Sequence, residues 1–276
     1  MTARLAIHDD VVSTAREALA RLATAGVDVE VVHPHGDLLA GLRGKRLDLA
    51  IVGVRALRGA ATDGLTMLAA LPREDPRDVV ISLSGSPAPL RALPRGARVA
   101  ARGARRAALL RAHRPDLEVV ASAGALDIEA FEGAGIDAAI LWSGEARRTG
   151  LGPRTSEVLD ARSWPPDPGR GTVAIMGRHP IAEVTSLDHL PTRTALRAEL
   201  ALVDALGARE DAALGSLAQP SGRIMRLWAA IASDDGRRVV RADLTGPLDE
   251  PEQLGVSVAR RLEARGADTV LVGSAR

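Results

Sequence analysis

Arg102, Arg105 and Arg106 stand where an apolar run, Arg98 to Ala101, gives way to a helical one, Ala104 to Ala112. Guanidinium groups beside a helix N-terminus favour anions, because their charge adds to the unpaired N–H groups of the first turn. The chemistry expected there is recognition of a carboxylate or phosphate. The plain alternative is a solvated helix face with aliphatic stems packed beneath it. A second group, His8, Asp9 and Asp10, follows the first apolar run, with His33 and His35 after the next. Imidazoles and carboxylates on one rim suit acid–base work, contact with a ligand, or a divalent metal. Their spacing matches no fixed metal-ligand motif, so no metal is assigned, and Asp10 serves equally well as a helix cap. Other reagents are scarce. The chain has no cysteine and no tyrosine, which removes disulfides and thiolate chemistry. Its single lysine, Lys45, lies in the charged run Arg43-Gly44-Lys45-Arg46, which reads as a surface turn.

The elements that must position these groups alternate between strand and helix. Leu5 to His8 is a short apolar run, and Val11 to Ala25 places Val12, Ala15, Leu19 and Leu22 at helical spacing before Gly26. Val29 to Val32 reads as a strand and Leu38 to Arg43 as a short helix. Asp48 to Val54 is a continuous apolar run of the kind buried inside a parallel sheet. A second series follows: strands at Val79 to Leu83, Arg98 to Ala101, Leu117 to Ala121 and Ala138 to Trp142, with helices at Ala104 to Ala112 and Leu126 to Phe131. Two stretches of turn formers, Ser84 to Pro89 and Trp164 to Gly169, bracket this block, and the strand Thr172 to Met176 comes next. The chain is thus expected to leave a first domain, build a second, and return. Beyond it, Thr194 to Leu206 is an amphipathic helix with Thr192 as its cap. Arg226 to Ala232 and Arg237 to Leu244 form a hairpin around Asp235-Gly236, Gln253 to Arg265 is a helix, and Thr269 to Val272 a last strand.

Composition narrows the class. Of 276 residues, 46% are hydrophobic and 26% charged, as in an ordinary globular protein. Aromatics make up 1% (Phe131, Trp142, Trp164 and Trp228), so stacking platforms for single-stranded nucleic acid are missing. Lys plus Arg (36) nearly cancels Asp plus Glu (35), leaving no global field for nucleic acid or anionic lipid. No signal-like or membrane-spanning run is read, and the expectation is a cytoplasmic monomer whose partner is a small anionic metabolite.

Several fragments, taken in order, resemble porphobilinogen deaminase (hydroxymethylbilane synthase). Arg73-Glu74-Asp75-Pro76-Arg77-Asp78 is similar to the family's REDPRD run. Arg105-Arg106 with Leu109 and then Arg114-Pro115-Asp116-Leu117 resembles S-L-R-R-x-x-x-L…R-P-D-L. Asp137 to Leu141 with Arg147-Arg148-x-Gly150-Leu151, Gly169-Arg170-Gly171, and Leu214 to Ala218 continue the likeness. The resemblance implies an α/β fold of three domains. Two are type II periplasmic-binding-protein-like domains joined by a double hinge, residues 1–84 with 171–191, and 85–170; the third, 192–276, is a small α+β domain. It also implies a dipyrromethane cofactor on a cysteine thioether, a proton-handling aspartate, and arginines holding many substrate carboxylates.

Position by position, the chemistry departs from that pattern. Ala56 falls on the aspartate and Arg55 on the lysine beside it. Glu210 falls on the cofactor cysteine, so a dipyrromethane cofactor is expected to be excluded. The family's T-S-S-L-R-R reads Ala101-Arg102-Gly103-Ala104-Arg105-Arg106, and the arginine loop reads Ala123-Gly124-Ala125-Leu126-Asp127. Trp142 replaces a small residue and is expected to pack in the core. The expected ligand contacts are Arg102, Arg105, Arg106, Arg55, His8, Asp9 and His35, with His8, Asp10 and Arg55 as catalytic candidates. Three functions remain open: a relative that binds and transforms a smaller acidic metabolite between domains 1 and 2, a hydroxymethylbilane synthase, and a binding protein without catalysis.

Overall fold

A computed structural model describes residues 2–3, 5–7, 12–25, 27–29, 38–57, 64–83, 87–121, 131, 133–209 and 211–273. It divides into two compact units, Met1–Glu74 with Gly169–Leu196, and Asp75–Pro168 with Arg197–Arg276.

In the first unit the strands run in the order Leu5–Ile7, Leu49–Gly53, Val173–Gly177 and Thr66–Ala70. Leu5–Ile7 is parallel to Leu49–Gly53, and Val173–Gly177 lies antiparallel to both of its neighbours. Thr2–Ala3 pairs in parallel with Asp28–Val29. The helix Val12–Thr24 covers the sheet with Ala15, Ala18 and Leu22, which meet Leu5, Ile7, Leu49 and Ile51 in one core. A strand buried on both faces has no polar side to present, which is why Leu49–Gly53 is apolar throughout.

The second unit has a five-stranded sheet in the order Thr155–Val158, Asp78–Ser82, Ala138–Trp142, Arg98–Ala101 and Glu118–Ala121. The last three are mutually parallel, while Asp78–Ser82 is antiparallel to both of its neighbours. Each α/β sheet therefore carries one antiparallel strand that the chain supplies straight after a crossing, Asp78–Ser82 in one and Val173–Gly177 in the other. That double exchange is the type II periplasmic-binding-protein-like arrangement implied by the resemblance. The same unit holds a three-stranded antiparallel sheet, Leu214–Ser221, Ile224–Ala232 and Val239–Pro247, backed by the helix Pro251–Glu263 through Leu254, Val258 and Leu262.

Three expectations need correction here. The first domain does not run to residue 84: hydrogen bonding puts Asp78–Ser82 in the second sheet, and the break falls at Glu74. Within the second unit Ala213 and Ala232 share one core with Leu109, Leu110 and Ile140. Thr269 to Val272 is helical, within Ala267–Gly273, since a short apolar run reads alike as strand or buried helix. Thr192 is also not a cap. The helix begins at Leu190, and the Thr192 hydroxyl accepts the Arg73 N–H at 3.1 Å. The expected strand continues into residues 30–32 and the expected helix covers 126–130, both outside the described residues.

The predicted Asp-Gly turn is present, with Gly236 at φ +72°. It docks on the helix Ala104–His113 so closely that a Cβ at Gly236 would lie 2.7 Å from the Ala112 nitrogen and 2.8 Å from the Ala108 oxygen. Gly236→Ala is expected to lower unfolding stability by about 1–3 kcal/mol, from backbone strain and overpacking together. Arg237→Ala, on the exposed neighbouring side chain, should stay within about 0.5 kcal/mol. Chemical denaturation of the two variants side by side checks the difference.

Candidate functional site

The strand Asp78–Ser82 opens on a fully buried carboxylate. Asp78 Oδ2 accepts Arg105 Nη2–H at 2.6 Å and Trp164 Nε1–H at 3.1 Å, while Oδ1 accepts Arg106 Nε–H at 3.0 Å and Nη2–H at 2.8 Å. Both arginines sit in the first turn of the helix Ala104–His113. The helix thus leads with two cations that its own first turn does not favour, and a carboxylate from the neighbouring strand answers them. Arg105 reaches further, donating from Nη1 to the Pro165 carbonyl at 2.9 Å and from Nε to Asp167 Oδ1 at 2.9 Å.

Burial alone would push the Asp78 carboxyl up, but the charges of Arg105 and Arg106 outweigh it and hold the group below the usual carboxylate range. For Arg105, burial works against the cation, and Asp167 and Asp78 overcome it, so its pKa lies above the ordinary guanidinium value. Arg106 is shifted the same way: burial opposes the charge and Asp78 outweighs it. Two guanidiniums and two carboxylates make a cluster with no net charge. Arg105 and Arg106, expected from the sequence to meet a ligand anion, have side chains only 3% exposed and engaged with Asp78 and Asp167. Arg102, in contrast, is partly exposed and pairs with Glu145 at 2.8 Å.

The remaining sequence-derived positions are placed unevenly. Arg55 and Ala56 lie in the 3-10 turn Val54–Leu57, at the C-terminal end of the strand Leu49–Gly53, where open α/β sheets present ligand-binding groups. His8, Asp9, Asp10, His33, His35 and Glu210 lie outside the described residues. Among the described residues no group of three or more His, Cys, Asp or Glu side chains could hold a metal. Trp142 is half-buried rather than core, with Nε1–H donated to the Asp75 carbonyl at 2.7 Å and the Arg148 guanidinium 4.5 Å from its ring centre. Sequence reasoning passed over Asp78, Trp164 and Asp167 as site residues. The usable signal was the Arg105-Arg106 pair itself, since two adjacent cations at a helix start need carboxylates from elsewhere.

The chain is similar to known proteins. Residues 35–217 match the family model described as porphobilinogen deaminase, dipyromethane cofactor binding domain. The porphobilinogen deaminase of Desulforudis audaxviator is 35% identical over 243 residues, covering 85% of this chain and 77% of the relative. That of Moorella thermoacetica is 32% identical over 260 residues, covering 92% and 80%. Among solved structures, the periplasmic aliphatic sulphonate binding protein of Escherichia coli aligns at TM-score 0.44 and 17% identity, over 74% of this chain and 70% of that one. No helix among the described residues is long and apolar enough to cross a membrane.

These matches overturn the exclusion of a dipyrromethane cofactor. The matching family model is that of the cofactor-binding domain itself, and the relatives are porphobilinogen deaminases. A chain without cysteine lacks the thiol for a thioether, so the residues present do not fit that mode of attachment; a count of cysteines reaches no further than the bond.

Asp78→Asn removes the shared counter-charge and leaves two buried guanidiniums, a loss of about 3–5 kcal/mol. Because the folded-state pKa is depressed, the Asp78 contribution is fully present above the unfolded carboxyl value of about 3.9 and fades as pH falls through the lower folded value. Denaturation of wild type between neutral pH and pH ~2 should show that loss, and the variant a shallower slope. From its crossing strands to the run matched by family and relatives, the chain belongs to the porphobilinogen deaminase family.

Proposed function

We propose that this family member has left the deaminating condensation of porphobilinogen and instead binds, and transforms, a small acidic metabolite in its α/β part. The observation that carries the reading is Ala56, in the 3-10 turn after the strand Leu49–Gly53, at the position resembling the family's proton-handling aspartate. A methyl group neither accepts a proton nor stabilises a cationic pyrrole. The size of the ligand follows from charge. A growing chain of pyrroles carries many carboxylates, whereas Arg105 and Arg106 are already neutralised by Asp78 and Asp167. With fewer uncommitted cations, a ligand with one or two carboxylates is the better match. Arg55, His8, Asp9 and His35 of the first unit are the contacts assigned to it from the sequence, with His8, Asp10 and Arg55 as the groups for proton transfer. The proposal includes a cytoplasmic, monomeric protein and a role beside tetrapyrrole biosynthesis rather than in its condensation step.

Incubation of the purified protein with porphobilinogen should release no ammonia and form no product that cyclises to uroporphyrin. Either would overturn the proposal. A panel of small mono- and dicarboxylic acids should in turn contain at least one that raises the melting temperature, since binding to the native state must stabilise it.

A further inference from the structure

Arg105 is held by two carboxylates of different character. Asp78 is fully buried and shared with Arg106, whereas the Asp167 side chain is 21% exposed and arrives from the segment Trp164–Pro168. Asp167 meets the guanidinium edge-on, Oδ1 to Nε at 2.9 Å and Oδ2 to Nη2 at 3.4 Å. That paired approach is how a free carboxylate binds arginine.

The backbone beneath Asp167 is held without its carboxyl group. Pro166 and Pro168 flank it and fix their own φ angles. The Pro165 carbonyl accepts Arg105 Nη1–H, and the Pro166 carbonyl accepts the Ser216 N–H at 2.8 Å. The strand Leu214–Ser221 passes so near that a Cβ at Gly215 would lie 2.3 Å from the Pro165 oxygen. Truncating Asp167 therefore vacates a carboxylate-sized space against a fixed guanidinium edge, and turns a neutral cluster into one with a net positive charge.

We propose that Asp167 is an internal occupant of a carboxylate-binding site on Arg105: its side chain fills the place of a ligand carboxylate and keeps that site closed to small organic anions. This goes beyond the function proposed above and stands on the geometry of the second unit alone, so it holds whatever the protein binds at Arg55 or His8.

Acetate is the probe. Melting of wild type, Asp167→Ala and Asp167→Asn is followed in sodium acetate and in sodium chloride at matched ionic strength. Asp167→Ala should melt below wild type in chloride and recover in acetate along a saturable curve, by about 3–6 °C at roughly ten times the dissociation constant. Wild type should show no acetate-specific shift, and neither should Asp167→Asn, whose amide still fills the space. If Asp167→Ala fails to fold in chloride, its refolding yield in acetate replaces the melting curve, and acetate-specific recovery is the expected result. An Asp167→Ala protein indifferent to acetate would overturn the proposal, as would an equal response from wild type or from Asp167→Asn.

Discussion

A carboxylate without solvent exposure, Asp78, accepts four N–H groups from three side chains: Arg105, Arg106 and Trp164. Taking such charges out of water costs several kcal/mol per ion, and only close pairing with satisfied hydrogen bonds offsets it. The pairing in turn dictates where three segments lie. The strand Asp78–Ser82, the helix Ala104–His113 and the stretch Trp164–Asp167 must converge on one point, or an uncompensated charge stays buried. The adjoining strand Leu214–Ser221 is fastened to the same stretch through the Ser216 N–H. This fastens the three-stranded sheet to the α/β sheet within one compact unit.

The same cluster separates scaffold from chemistry. In this chain the adjacent arginine pair answers carboxylates of the chain itself, Asp78 and Asp167. The strands that cross between units, the REDPRD-like run and the helix behind Arg105 are all present, and relatives about one-third identical match over most of the chain. The departure read from the resemblance, Ala56, stands in the turn after Leu49–Gly53, and Asp167 lies in the crossing segment. Loops and strand ends tolerate change in chemistry because they carry little of the packing.

Much of this was legible in the sequence, for physical reasons that differ by element. Ala138–Trp142 was read with its observed bounds, and Ala104–His113 to within one residue, because buried strands and helices leave strong apolar patterns. Thr66–Ala70 and Thr155–Val158 escaped notice, since a short strand with polar residues such as Thr155, Ser156 and Glu157 shows little periodicity. The arginine pair was read as a site for a ligand anion; the carboxylates that it meets in the structure belong to the chain. Its partners lie 27 and 62 residues away, and neither hydropathy nor spacing reports an ion pair between distant positions.

The charge of the arginine pair is consumed within the protein by Asp78 together with Asp167. A double-mutant cycle with Asp78→Asn and Arg105→Gln, read by denaturant unfolding at neutral pH, measures it directly. The expected coupling is above about 1.5 kcal/mol, with the double variant more stable than the sum of single losses implies. A coupling near zero would show that Arg105 does not depend on Asp78 and that the pair's charge is not met there.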